Sequence, residues 1–176
     1  GRRFSANLVF CRETLVRLSP ALSMSFVFSP AREKAFRGGF EKKMLARMKR
    51  GAACLEKGDW AGGARTLSGL GFGLTPSGDD FLGGYLLAAN FSPHRRKNKL
   101  IKTVMKNCRS SNPVSRSFLS ACAAGRADLR TKKFLASLSD QEKKNLKRST
   151  ENLLDRGHTS GADFLSGFLF YFSEKL

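Results

Sequence analysis

Residues that build metal sites and disulfide frameworks are scarce in this sequence. Its 176 residues include two histidines and four cysteines, and the cysteines stand far apart, with no Cys-x-x-Cys pair. Zinc sites and disulfide-stabilised secreted folds depend on clusters of such residues. Neither class is favoured, and the sequence indicates no metal or other cofactor. A reducing compartment, the cytoplasm, fits best.

Long apolar runs and acidic residues are also in short supply. No stretch approaches the roughly 20 apolar residues of a membrane span, so we expect no membrane partner. The 14 acidic residues face 32 lysines and arginines, which gives a net charge of +18. Most basic residues fall in 41–50, 94–106 and 131–148, interleaved with apolar residues at helical spacing. This pattern favours solvated helix faces over a nucleic-acid partner, for which no binding motif is present.

The composition predicts a folded chain whose two parts differ. Hydrophobic residues make up 41% and include 15 phenylalanines, enough for a core. Residues 1–29 contain three short runs rich in Val, Phe and Leu, at 6–10, 14–18 and 23–28, which predict strands. We expect this β-rich N-terminal segment to belong to a sheet that preceding sequence or another subunit completes. Residues 30–176 predict a mainly α domain, a bundle of about seven to eight helices.

Capping residues mark several of the predicted helix boundaries. Asp59 and Asn112, the latter followed by proline, predict helix starts. Ser139 and Glu142 have the spacing of a capping box. Gly125 predicts a helix end.

One glycine-rich stretch at residues 69–87 is partly repeated later in the chain. Its segment Ser-Gly-x-Asp-Phe-Leu-x-Gly occurs at 77–84 and again, 83 residues on, at 160–167. Each copy follows a helix-start signal, and its second glycine lies four residues after its aspartate, on the same helical face. We therefore expect two helix starts to approach closely and to place Asp80, Asp163 and free backbone N–H groups around one cleft.

The acids of this repeat have two interpretations. Ser77 and Ser160 each precede an aspartate by three residues, as in a capping box, where the acid opposes the helix dipole. Alternatively, the adjacent Asp79 and Asp80 beside backbone donors suit proton transfer, a metal ion, or the orientation of an ammonium or carbamoyl NH2 group.

The turn before the first copy and the histidine before the second are equally open to two interpretations. Residues 71–78 are typical of an anion cradle, although tight packing explains the glycines as well. The turn lacks the lysine of a nucleotide-binding loop. His158 lies just before Thr159 and Ser160, at the start of the second copy, and is either a catalytic or substrate-binding residue or a structural one.

The stretch at 69–84 resembles a bacterial family long described as a domain of unknown function. That family includes the subunit of oxamate carbamoyltransferase encoded with ureide (allantoin) catabolism genes. The resemblance covers residues 40–176 and continues through Asn112-Pro-Val-Ser115 and Gly157-His-Thr-Ser-Gly-Ala-Asp163. It implies a cytoplasmic protein that works with other enzyme subunits on two small anions, carbamoyl phosphate and oxamate, in the reversible step that yields carbamoyl phosphate from oxalurate.

The mechanism that this resemblance implies is in-line carbamoyl transfer. Backbone N–H groups of residues 73–78 would hold the phosphate or carboxylate, and Asp80 with Asp163 would orient the amide nitrogen. The candidate catalytic residues are Asp80, Asp163 and His158, and the candidate substrate-binding residues are Gly71, Gly73, Thr75, Ser77, Gly78, Asp79, Asn112, Ser115, Thr159 and Ser160. Two other functions stay open: a non-catalytic structural subunit whose two motifs form a packing seam, and a basic nucleic-acid-binding module, which charge alone favours.

Overall fold

The computed structural model describes residues 2–71, 74–110 and 112–173. Within these ranges the chain forms nine α-helices and two 3-10 helices, and no strand. The mainly α prediction is therefore confirmed, with slightly more helices than expected. The helices are α1 (Arg2–Leu18), the 3-10 helices Met24–Phe28 and Pro30–Ala35, α2 (Gly39–Glu56), α3 (Trp60–Leu67), α4 (Ser77–Phe91), α5 (Lys97–Asn107), α6 (Pro113–Ala123), α7 (Leu129–Ser137), α8 (Lys143–Leu154) and α9 (Ser160–Phe172).

The predicted β-rich N-terminal segment is wrong. Helix α1 covers the first two predicted strands, and the first 3-10 helix covers most of the third. Leu8, Cys11 and Leu15 recur every three or four residues and are all buried where α1 packs on α8 and α9. Valine and phenylalanine suit a strand, but a buried stripe at helical spacing outweighs that local preference.

The capping predictions are confirmed at two helix starts and wrong at a third. The side chains of Asp59 and Asn112 each accept a hydrogen bond of 2.8 Å from a backbone N–H of the helix that follows. The proposed box of Ser139 and Glu142 does not form, because α8 begins only at Lys143. There, Asp140 accepts the N–H of Glu142 at 3.0 Å instead.

Helices α4 and α9, which carry the two copies of the repeat, form the centre of the core. All residues from 77 to 89 are buried, as are all from 161 to 169. A helix that is covered on every side lies inside a bundle, and here the other helices surround this pair. Within the described ranges, no helix has both the length and the apolar character needed to cross a membrane.

The backbones of α4 and α9 touch directly at two glycines. A Cβ atom on Gly84 would overlap the carbonyl oxygen of Phe164, and one on Gly167 would overlap the carbonyl oxygen of Phe81. These two contacts exchange when the numbering is shifted by 83 residues. Further along, the rings of Tyr85 and Tyr171 meet at 5.2 Å, so the helices run in the same direction and start at the same end of the molecule.

Candidate functional site

The starts of α4 and α9 meet through a pair of hydroxyl groups. The Oγ1 atom of Thr75, two residues before α4, lies 3.1 Å from the Oγ atom of Ser160, the first residue of α9. Both side chains are half-buried. Because the N-terminal end of a helix carries partial positive charge, the hydroxyl pair lies where two such ends come together.

Behind the hydroxyl pair, each aspartate of the repeat faces the serine of the other copy. The hydroxyls of Ser160 and Thr75 lower the pKa of the Asp80 carboxyl group by hydrogen bonding, and the hydroxyl of Ser77 lowers that of Asp163 in the same way. Neither helix start has a side-chain cap, so the capping-box interpretation does not describe either copy. The acids and serines of the repeat instead link the two helices to each other.

Both aspartates titrate close to neutral pH. Burial raises the pKa of Asp80 to about 6, against the lowering effects of the Ser160 hydroxyl and the Arg156 charge. Burial raises the pKa of Asp163 to about 7, although a 2.6 Å hydrogen bond from the N–H of Met24 favours its ionised form. The Oδ2 atoms of both carboxyl groups lack a hydrogen-bond partner among the described residues. Their charge is therefore incompletely compensated.

The third aspartate, Asp79, holds the glycine turn against α4. It is fully buried, and its Oδ1 atom accepts a 2.9 Å hydrogen bond from the N–H of Gly69. Gly71 has a φ of +129°, and a Cβ atom there would meet the backbone nitrogen of Ser77. This positive φ and close contact explain a glycine at position 71 by packing.

Among the proposed backbone donors of the cradle, one is already engaged. The N–H of Gly78 donates to the carbonyl of Leu70 at 2.8 Å. A Cβ atom on Gly78 would also overlap the carbonyl oxygen of Leu67. Gly73 lies outside the described residues.

Asn112 and Ser115 contact the same turn from α6. The Nδ2 atom of Asn112 donates to the carbonyl of Leu74 at 2.6 Å, and the hydroxyl of Ser115 donates to the same oxygen at 3.4 Å. The Leu74 side chain is 75% exposed. These two candidate binding residues therefore hold the backbone next to Thr75 in place.

The remaining two candidates precede α9. His158 is exposed, and Thr159 is half-buried with its hydroxyl directed to Asp163. The fold thus brings Thr75, Asp80, Ser160 and Thr159 together at the starts of α4 and α9 and leaves His158 exposed at the protein surface.

Sequence reasoning missed Arg156, which lies beside the start of α9. Its guanidinium group stacks 4.7 Å from the ring centre of Phe164 and 5.7 Å from that of Phe118. One nitrogen lies 3.3 Å from a carboxylate oxygen of Asp128, and another donates to the carbonyl of Ser160 at 3.4 Å. Its position just ahead of the second copy is the sequence signal that could have identified it.

Comparison with known proteins adds a family to this geometry. Residues 67–172 match the family described as oxamate carbamoyltransferase subunit AllH. The chain belongs to the AllH family. The match includes α4, α9, the glycine turn and Arg156 of this AllH chain. No curated protein and no solved structure matches it.

The chemistry available at the helix starts of this AllH chain is that of an oxyanion site beside an acid. Two hydroxyls, two positive helix ends and the Arg156 guanidinium all favour negatively charged oxygen atoms. Asp80 lies directly behind and changes protonation near neutral pH, as a proton acceptor should. No group of three or more His, Cys, Asp or Glu side chains within the described ranges is placed to hold a metal ion.

Proposed function

We propose that this chain is a cytoplasmic carbamoyltransferase subunit that binds carbamoyl phosphate and oxamate at the converging starts of α4 and α9. The observation that carries the proposal is the 3.1 Å contact between the hydroxyls of Thr75 and Ser160. It brings two segments of the AllH match together over a buried acid. Since the family is described as a subunit, other subunits of the enzyme are the expected partners.

The phosphate group would lie at the hydroxyl pair. The hydroxyls of Thr75 and Ser160 would turn from each other to donate to its oxygens, and Arg156 would contribute charge from the side. Two helix ends add partial positive charge at the same point. The net charge of +18 would attract both anionic substrates.

In the forward reaction, the amide nitrogen of oxamate attacks the carbamoyl carbon. The bond from that carbon to the phosphate oxygen breaks, and phosphate leaves with the bonding electrons. The nitrogen loses a proton, which reaches the ionised Asp80 through the hydroxyl of Thr75 or Ser160, once that hydroxyl turns from the departing phosphate back to the carboxylate. In the reverse direction, a phosphate oxygen attacks the carbamoyl carbon of oxalurate, the bond from that carbon to the oxamate nitrogen breaks, and Asp80 returns the proton to this nitrogen. Asp163 acts as a positioning residue through its contacts with Ser77 and Thr159.

A second candidate function is a structural subunit in which α4 and α9 form only a packing seam. Two observations favour it. Asp79 and Asp163 are both 0% exposed, and each carboxyl group is used by a backbone N–H, from Gly69 and Met24 respectively. In this case catalysis would belong to the partner subunits.

The hydroxyl pair provides the direct test. Thr75→Val and Ser160→Ala should each lower kcat/KM for carbamoyl phosphate synthesis from oxalurate by about tenfold, because each removes a donor to phosphate. The measurement uses the enzyme assembled with its other subunits. Thr66→Val is the matched control, since among the described residues the Thr66 hydroxyl bonds only within α3, to the carbonyl of Gly62. Unchanged activity in both test variants would contradict the phosphate site.

Asp80 distinguishes the site from the seam. If it accepts the proton, wild-type kcat for carbamoyl transfer from carbamoyl phosphate to oxamate should rise as pH increases through about 6, where Asp80 ionises. The Asp80→Asn variant should keep its helical circular dichroism and lose both the activity and this pH dependence. A variant that unfolds, or one that stays folded and active, would favour the structural subunit.

A further inference from the structure

A cavity lies beside the proposed anion site, between α4, α6, α9 and the segment that leads into α7. Its volume is about 450 Å³, within the range of about 300 to 1,000 Å³ that small-molecule sites occupy. Its floor is apolar and contains Leu87, Phe118, Cys122 and Phe164, and of these four Phe118 is the one with a partly exposed side chain. Burial raises the pKa of the Cys122 thiol to about 12, so this sulfur stays protonated and apolar in character.

Two guanidinium groups stand at the edge of this floor. The Arg156 guanidinium lies over the ring of Phe164 and bonds to Asp128 and Ser160 only at 3.3 and 3.4 Å, so both bonds are long. Arg126 is exposed, and its side chain has no ion pair or hydrogen bond within the described ranges. The carboxyl group of Asp128 also accepts the N–H of Thr131 at 2.8 Å, which leaves it poorly placed to neutralise both arginines.

We propose that this cavity binds a small organic acid with a flat apolar body and one carboxylate. The body would lie against the half-buried Phe118 and Ala121, and the carboxylate would bind Arg126 and Arg156, whose planar donors match its two oxygens. Oxamate does not fit this description, because it is polar at every position and gains little from an apolar floor. The ligand is therefore distinct from the proposed substrates.

Arg156 connects this cavity to the helix starts. The same guanidinium group that faces the cavity bonds to the carbonyl of Ser160, and its charge lowers the pKa of Asp80. A carboxylate in the cavity would draw that charge away from Asp80. Binding of the organic acid should therefore weaken phosphate binding at the hydroxyl pair, and by linkage phosphate should weaken binding of the acid to the same degree.

Benzoate and benzamide form a matched pair of probes, because they share a flat ring and differ in charge. Titrations of the full chain followed by NMR should show saturable benzoate binding with Kd of about 1 mM or tighter. Benzamide and acetate should each bind at least about tenfold more weakly, the first without the charge and the second without the ring. Equal affinity for benzoate and benzamide, or no benzoate binding up to about 10 mM, would overturn the proposal.

Variants then locate the site. Arg126→Gln should weaken benzoate binding by about tenfold. Arg116→Gln makes the same change of charge at an exposed arginine in α6 that does not line the cavity, and it should leave benzoate binding unchanged. Ala121→Leu should narrow the cavity and weaken benzoate binding while the circular dichroism stays helical. Equal losses in the Arg126 and Arg116 variants would show attraction to net charge alone and would refute the site. Because every readout is binding, the result does not depend on carbamoyl transfer.

Discussion

The two copies of the repeat share seven identical residues, but the surroundings of their aspartates differ. Asp163, in the second copy, is sealed by the backbone of Met24 and has no exposed surface. Asp80, in the first copy, lies under the half-buried hydroxyls of Thr75 and Ser160 and beside the charge of Arg156. One acid is closed off inside the molecule, while the other sits just below its surface.

This difference arises outside the repeat itself. The first 3-10 helix packs on α9, and its Met24 backbone binds Asp163, whereas the side chains of Thr75 and Ser160 lie next to Asp80. A pair of similar helices thus encloses one aspartate behind backbone and places the other behind two half-buried hydroxyls, where we propose that it takes part in chemistry.

The largest expected effect concerns the two glycines at which the copies touch. Gly84→Ala and Gly167→Ala should each destabilise the fold by about 3 kcal/mol, because the new methyl group would overlap backbone and neither helix can yield easily. Chemical denaturation followed by circular dichroism measures this directly.

Gly39→Ala is the control for these two variants. A Cβ atom on Gly39 meets nothing within 4 Å, so alanine at this first position of α2 should be neutral or slightly stabilising. Similar behaviour of all three variants would show that the contact of α4 with α9 is looser than described.

The next largest effect separates the two acids by pH. An aspartate with a raised folded-state pKa binds its proton more tightly in the folded chain, so stability falls as pH rises from the unfolded value, about 4, to the folded value. For Asp163, with a pKa of about 7, this loss is on the order of 2 kcal/mol between about pH 5 and pH 8.

Asp163→Asn should remove most of this loss, since the amide oxygen can still accept from Met24. Asp80→Asn should remove a smaller part over a lower range, because the pKa of Asp80 is about 6. The measurement is the free energy of unfolding at a series of pH values. Identical pH slopes in the wild type and both variants would contradict the described burial of the carboxyl groups.

The smallest effect concerns Asn112 and Asp128, which cap α6 and α7 and also contact residues near the starts of α4 and α9. Asn112→Ala removes both the cap of α6 and the donor to Leu74, and Asp128→Ala removes the cap of α7 and the partner of Arg156. Each should cost about 1 kcal/mol, the usual value of an N-cap. Of these two variants, only the Asn112 variant should also weaken phosphate binding at Thr75, because Asn112 donates to the carbonyl of the preceding residue, Leu74. If both variants bind phosphate as tightly as the wild type, the anion binds elsewhere.

Local signals in the sequence predicted much of the helical part of the fold. Asp59 and Asn112 cap helices as expected because a cap depends only on residues two or three positions away. The N-terminal segment was mispredicted because its Val and Phe content concealed the helical spacing of Leu8, Cys11 and Leu15.

The site was less accessible from the sequence because its geometry depends on tertiary packing. The repeat identified Asp80 and Asp163, but the exchange of serines between the copies requires knowledge of how α4 crosses α9. Arg156 gave little signal, since a single arginine in a basic chain looks like any other surface charge. What distinguishes it is stacking on Phe164 and Phe118, which are distant from each other in the sequence.

The hydrogen bond from Met24 to Asp163 has a bearing on what counts as a unit of this protein. The match to the family begins at residue 67, yet Asp163, inside the matched region, accepts a hydrogen bond from the backbone of Met24, which lies outside it. A version shortened to residues 67–172 would keep the matched sequence and lose the amide that binds a fully buried carboxyl group. The unit that folds is therefore longer than the region by which the family is recognised.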